Sequence, residues 1–369
     1  MSSSRREFIR NGLLGSFLVT IYNPFQQLFA DSKPNRDLPS WKELIEYARW
    51  CPTVHNLQPH RIKIISDTEA QLYYEPGRLL PVGDPNSVFA TVAMGIFIEH
   101  LSIVAGYNGY KVVVKEIFDP LKTTTAGLTK FADLRLVPTE KKEDLDRELI
   151  KKRRTSRLHY SGNPLSEKTL NTIKEEAARS GHEIFWSSEK KMVDYVIRLN
   201  QQTLFEDLES KANRDELARL FRYTDEEAET KKDGLWARCM CFPGKLLKSV
   251  FIHHEKWEHG LRKKLLSNHY KKSFKGTQTI CWVCGKFENT ADWLNAGKTL
   301  ARSWLLLTRD GACIHPFGSL ITNKEAYKKI NEAFTRPRSD EKTWMIFRAG
   351  YSKEPARSYR ISAEEIIIN

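Results

Sequence analysis

Arg153-Arg154-Thr155-Ser156-Arg157 sets three guanidinium groups and two hydroxyls within five residues. Guanidinium stays charged at any accessible pH and grips oxyanions bidentately, so this composition suits a dianionic phosphate. The same run could be the exposed basic end of a linker. Well upstream, Pro52-Thr53-Val54-His55-Asn56-Leu57-Gln58-Pro59 carries a hydroxyl and an amide on short side chains between prolines. Near the C-terminus, Phe347-Arg348-Ala349-Gly350-Tyr351 is followed by Pro355, Arg357 and Arg360. Each of these last two arginines could be an anion ligand or a surface charge. The sequence assigns no catalytic acid or base.

Other chemistry-bearing patterns fail on spacing. Gly297-Lys298-Thr299 looks like a phosphate-loop ending, but Asp292 stands where glycine is needed and the segment reads as helix. His254-Glu255-Lys256-Trp257-Glu258-His259 is one residue too long to put both histidines on one helical face for zinc. Cys281-Trp282-Val283-Cys284 lies in a β-rich run, where residues three apart face opposite ways. No metal site is expected, and the six cysteines read as buried or free thiols.

The elements that must position these residues follow from periodicity. Ser40-Trp41-Lys42-Glu43 opens a helix with apolar residues at Trp41, Leu44, Ile45 and Ala48. Residues 61–66 and 71–75 read as a strand hairpin, and 111–118 and 131–137 as further strands. Val88–Gly106 is apolar nearly all round, but Glu99 and His100 in its middle favour a buried central helix over a membrane span. Residues 138–152 read as a charged connection. Beyond them come a helix ending at Ser180, a strand over 183–186, a helix around 190–209, a strand over 279–286, a helix over 293–308 and a strand over 343–351. Residues 210–276 are polar, basic and aromatic, and read as helical insertions or a lid. Gly95–Gly109 and Gly297–Gly311 match as glycine-bounded helices of equal spacing, the sign of an internal repeat.

The chain has 369 residues, a net charge of +13 and 40% apolar residues, so a large core is affordable. Its cations come in scattered short pairs rather than a stripe with interleaved aromatics, which argues against a nucleic-acid partner. Ser4-Arg5-Arg6-Glu7-Phe8-Ile9-Arg10, with a weakly apolar stretch after it, resembles a twin-arginine export signal. It implies the twin-arginine export machinery as a partner and an exported, periplasmic or membrane-associated protein. Ala30 could end a cleaved signal, but Leu28 is large where a small residue is usual, so the segment could remain as an anchor.

The Arg153–Arg157 and Pro52–Pro59 segments resemble motifs of the nitroreductase family, FMN enzymes whose flavin lies at a homodimer interface. There the arginine motif precedes the Pro-Ser-x-x-Asn-x-Gln-Pro motif; here the order is reversed and each half carries one motif. The pattern is similar to the Acg-like branch of the fold. It implies an α+β nitroreductase-like fold made as an intramolecular pseudo-dimer of two related halves. They would span 40–140 and 150–369, after a signal over 1–30, with a helical insertion or lid over 187–276.

The resemblance implies that Arg153, Arg154, Thr155 and Arg157 lie under the phosphate and ribityl chain, with Arg357 or Arg360 as a second phosphate ligand. Pro52, Thr53, Val54 and Asn56 would approach the flavin from the other half. Gly311 and Ile314 belong to a segment, 311–319, whose backbone N–H groups would lie near flavin N5; His315 is a weaker candidate. His60 stands where tryptophan is usual. Ser180-Gly181-His182-Glu183 stands where a second Pro-Ser-x-x-Asn would fall, so one FMN per chain is implied. The implied activity is electron transfer to a small oxidant, nitroaromatic or quinone-like, with NAD(P)H as candidate donor. A flavin-sequestering protein with little turnover is the alternative.

Overall fold

The computed structural model describes residues 37–334, 338 and 340–369, so the twin-arginine segment lies outside the described residues. Eleven strands run in chain order among them. β1 (His60–Ile64), β2 (Glu69–Tyr74), β3 (Tyr110–Ile117) and β4 (Thr129–Pro138) come first. β5 (Glu183–Ser187), β6 (Phe221–Arg222), β7 (Leu235–Trp236) and β8 (Thr279–Gly285) follow. β9 (Cys313–Pro316), β10 (Lys342–Gly350) and β11 (Ile367–Ile368) complete the set. With the helices between them they make an α+β fold.

Two sheets repeat one plan. The first has the order β11-β1-β2-β4-β3 and the second β5-β8-β10-β9. Leaving out β11, both are wholly antiparallel. Each begins with a short helix (Trp41–Ala48, Glu167–Ala178) and carries a long helix (Val88–Gly106, Thr290–Arg309) between its second and third strands in chain order. The difference lies between β5 and β8, where 188–278 replaces the tight turn joining β1 to β2.

The long helices cross at glycine. A Cβ on Gly95 would stand 2.3 Å from the Leu294 carbonyl oxygen, and one on Gly297 would stand 2.2 Å from that of Val92. Val92 and Gly95 are spaced as Leu294 and Gly297 are, so the contact is reciprocal, as across a two-fold axis. Both helices stop at a left-handed glycine, Gly109 (φ 75°) and Gly311 (φ 76°), where a Cβ would be strained. The Val88–Gly106 helix is long and apolar enough to cross a membrane, yet most of it is buried inside the protein. Of its central polar residues, Glu99 pairs with Arg302 at 3.0 Å, whereas both His100 ring nitrogens are buried without a partner.

The first helix starts as its sequence specifies, with Ser40 Oγ accepting from the Glu43 N–H and Trp41, Leu44, Ile45 and Ala48 all buried. Cys281 and Cys284 serve different cores on opposite faces of β8, and the cysteines are free thiols. The 138–152 connection is helical only over Glu148–Lys152. Residues 210–276 form four helices, Lys211–Leu220, Asp225–Lys231, Gly244–Ile252 and Gly260–Lys272, and the small β6–β7 pair. The C-terminal segment then returns to the first sheet, where β11 pairs parallel with β1, Ile62 opposite Ile367. That return carries 351–366 past the Pro52–Pro59 loop.

Candidate functional site

The loop after the first helix is held in an unusual backbone. His55, Asn56 and Gln58 have φ of 48°, 60° and 51°, a left-handed region that side chains with a Cβ enter at a cost of about 1 kcal/mol or more each. Hydrogen bonds from three chain segments offset that cost. Thr53 Oγ1 accepts from the Gln58 backbone N–H at 3.0 Å. The buried Gln58 amide donates to the Lys232 carbonyl at 2.8 Å and accepts from the Ile361 N–H at 3.0 Å. Asn56 Nδ2 donates to the Tyr359 carbonyl at 3.1 Å, and the Gly234 N–H donates to the Asn56 carbonyl at 3.3 Å. Asn56 Oδ1 is buried without a partner.

The arginine run begins where the Glu148–Lys152 helix ends. Thr155 bridges to Ile314, and the Ser156 N–H donates to the Ile314 carbonyl at 3.0 Å, so the run lies extended beside β9. Arg154 Nη1 caps the helix, donating to the Lys151 and Lys152 carbonyls at 2.6 and 2.8 Å. The Arg153 guanidinium sits 4.3 Å from the centre of the Trp304 ring, with Nε and Nη1 buried and unpartnered. Arg157 donates to the Cys239 carbonyl at 3.4 Å. From the C-terminal segment, Arg357 stacks on Trp50 at 3.4 Å, and Arg360 Nε is buried without a partner.

These segments enclose one cleft with about 730 Å³ of space between them, open solvent at its mouth included. Pro52, Thr53 and Asn56 line it, as do Arg153, Arg154, Thr155 and Arg157, and both Arg357 and Arg360. Val54 turns instead to a small neighbouring cavity beneath Leu79 and Leu80. Gly311 and Ile314 do not line the cleft. Ile314 is fully buried in β9, where its carbonyl holds the arginine run in place; Gly311 is the exposed stop of the preceding helix. Within 311–319, Cys313–Pro316 is a strand paired with β10. His315 is buried there, its ring parallel to Phe274.

Other lining residues escaped the sequence reading. Trp50 and His55 adjoin recognised positions, whereas Gly234, Leu235, Trp236, Cys239 and Met240 come from the insertion and Ala356 and Ser358 from the C-terminal segment. Gly234 was legible only as turn chemistry: its φ is 74°, and a Cβ there would meet the Leu220 carbonyl oxygen at 2.3 Å. The insertion is tied down beside it. Asp233 accepts from Arg78 at 3.1 Å and from Arg222 Nε at 3.0 Å.

Five guanidinium groups thus share the cleft with little negative charge. Among the described residues, Glu354 is the single carboxylate within 4.0 Å of any of them, 3.5 Å from Arg154, and it is largely exposed. Burial, then the neighbouring Arg360, lowers Arg153 from its usual value to about 9. Burial likewise brings Arg360 down to about 10, and it lowers Arg154, Arg157 and Arg357. His55 is held neutral, with its pKa down at about 4, by burial and by Arg157. A bound polyanion would relieve the repulsion and partner the orphaned nitrogens.

Around the second sheet the corresponding connection is short. Residues 179–182 replace the long loop of 49–59. Arg302 fills the space between the long helices and the segment after β4. It pairs with Glu99 at 3.0 Å, Glu143 at 3.0 Å, Asp144 at 3.2 Å, and Glu176. His182 accepts from Trp344 Nε1 at 3.2 Å.

No protein-family model and no curated protein sequence matches the chain. Among solved structures it is similar to a nitroreductase with bound FMN from Bacteroides fragilis, at 15% identity over 58% of this chain and 91% of that one, TM-score 0.33. The FMN-dependent nitroreductase NfnB from Mycobacterium smegmatis, in complex with NADPH, aligns at 16% identity over 59% and 94%, TM-score 0.34. The FMN and NADPH-dependent nitroreductase NfnB from Sphigopyxis sp. strain HMH aligns at 13% identity over 60% and 96%, TM-score 0.33.

Proposed function

We propose that the chain is an FMN-dependent oxidoreductase of nitroreductase type, built from two fused halves and holding one flavin. The observation that carries the proposal is the convergence of Arg153, Arg154, Arg157, Arg357 and Arg360 on one cleft without balancing carboxylates. The donor set fits the cofactor: orphaned Arg153 and Arg360 nitrogens suit a phosphate, while Thr53, Thr155 and Asn56 suit ribityl and ring edges. Bound there, FMN would supply two-electron chemistry through N5 to a nitroaromatic- or quinone-like oxidant, with NAD(P)H as candidate donor. The protein's own residues bind, orient and exclude water; Trp50 and Trp236 wall the cleft with apolar surface.

The repeated sheet plan and the reciprocal glycine contact support the fused-half reading, and the Arg302 cluster supports one site per chain. On this proposal the N-terminal segment exports the folded, loaded protein through the twin-arginine machinery. One observation favours flavin sequestration as the second reading: the 232–240 segment is fastened over the cleft through Gln58 and Asp233.

Purification without added flavin, a visible spectrum and identification of released cofactor test the proposal. About one FMN per chain, lost on Arg154→Ala, is the expected outcome. A colourless protein that fails to take up FMN would overturn both readings. A bound flavin that neither NAD(P)H nor a quinol reduces would leave sequestration.

A further inference from the structure

The insertion ends in a surface that no element among the described residues covers. The helix Gly260–Lys272 has no buried residue. Its inner side is fastened by the Tyr270 hydroxyl, which accepts from Asn200 at 2.9 Å, by Gln201, which donates to Ser267, and by the His269 ring against Phe242. Its outer side carries Leu261 and Leu265, 79% and 66% exposed, one helical turn apart. Ile252, at the end of the preceding helix Gly244–Ile252, is 55% exposed. Leu261 and Leu265 thus form an exposed apolar pair on one helix face.

Around them the charge is strongly one-sided. Residues 244–275 hold nine lysines and arginines against two glutamates. On the outer helix, Lys263 pairs with Glu209 at 3.7 Å, while Arg262, Lys264, Lys271 and Lys272 have no carboxylate within 4.0 Å among the described residues. Helical spacing sets Lys272 in line with Leu261 and Leu265 and places Lys264 and Arg262 on either side of them.

We propose that this face docks on an anionic lipid bilayer, with Leu261 and Leu265 entering the headgroup boundary and the flanking cations meeting lipid phosphates. The pattern decides between polyanions. A nucleic acid would use the cations but leave the leucines in water, whereas at a bilayer both contribute. Long lysine and arginine stems let the charged ends reach headgroups while the leucines sit deeper. This surface is independent of what the cleft binds. It is also distinct from the N-terminal segment as a means of attachment.

Amide hydrogen exchange on the full chain tests the proposal locally, whatever the N-terminal segment does. Vesicles of phosphatidylglycerol and phosphatidylcholine in equal parts should protect peptides covering 244–272, and phosphatidylcholine vesicles should not. Raised salt should weaken the protection. Leu261→Ser/Leu265→Ser should raise the lipid concentration needed for half-protection by about tenfold. Both leucines are exposed, so an unchanged thermal midpoint is expected to certify the fold of the variant. Arg262→Glu/Lys264→Glu should weaken protection as well. Exchange in 244–272 that ignores anionic vesicles would overturn the proposal. So would protection undiminished in the double serine variant, or equal protection by single-stranded nucleic acid, since charge alone would then explain the contact.

Discussion

Gln58 and Ile361 are far apart in sequence, yet the Gln58 side-chain oxygen accepts the Ile361 backbone N–H at 3.0 Å inside the protein. The same amide donates to the Lys232 carbonyl, so one buried side chain joins the Pro52–Pro59 loop, the insertion and the C-terminal segment. Gln58→Leu strands the buried Ile361 N–H and the part-buried Lys232 carbonyl. It should cost about 2–4 kcal/mol of stability in denaturant unfolding and weaken anion binding in the cleft, because Asn56, Gly234 and Arg360 lose their common frame. Unchanged values for both would show that the loop is held by other contacts.

The crowded arginines make opposite predictions for the free and bound protein. Arg360→Met removes one of five like charges from a buried cleft, so it should leave the ligand-free protein as stable as before or raise its unfolding midpoint. The same change should weaken FMN binding roughly tenfold to a hundredfold, the worth of a charge-assisted contact. Equilibrium titration and thermal unfolding of one variant check both signs.

The reciprocal glycines cannot carry a methyl group without moving a helix. Gly95→Ala and Gly297→Ala should each destabilise by about 3 kcal/mol or more, since the clash is with backbone carbonyls that have no rotamer to escape into. Gly77→Ala, where nothing lies within 4 Å of the added carbon, should change little in the same denaturant series.

Neutral buried histidines set the acid limit. Burial lowers His55 to about 4 and His100 to about 3, against 6.5 in the unfolded chain. Between about 6.5 and the folded values the unfolded state binds more protons, so stability is full above 6.5 and falls as the pH drops. His100→Phe should flatten that fall between pH 7 and pH 5 in thermal unfolding. An equally steep fall would assign the acid sensitivity elsewhere.

The carboxylate cluster should show the reverse trend once its cation is gone. Arg302→Met leaves Glu99, Glu143 and Glu176 facing one another in a largely buried space, at a cost of about 3–5 kcal/mol. Burial already holds Glu99 above its usual value and Arg302 opposes that rise, so without the cation Glu99 goes higher still and the variant should lose stability as pH increases from 5 to 8. A loss independent of pH would mean that Arg302 acts through packing alone.

Strong local signals were legible in the sequence. Ser40 caps a helix where hydroxyl-led capping predicts it, since a cap is a contact within one turn. Val88–Gly106 was readable because a helix buried on every side needs no polar face. Most of the cleft's cations were readable too, because arginine density is a property of composition. Other features required the folded chain. β9 has four residues and owes its existence to β10, and the place of Gly234, Trp236 and Cys239 in the cleft depends on an insertion that carries no local mark of its destination.

By itself, then, the sequence determined the longer helices and strands and the charges that three short segments would bring. Only the tertiary structure decided that Arg357 and Arg360 both reach the cleft, that Val54 and Ile314 turn away from it, and that Arg302 gathers Glu99, Glu143, Asp144 and Glu176 beside the long helices. The physical reason is range. Helical periodicity, capping and charge density act over a few residues, whereas β11 pairing with β1 and Gln58 bonding to Ile361 join residues some three hundred positions apart, and no local pattern encodes such a meeting.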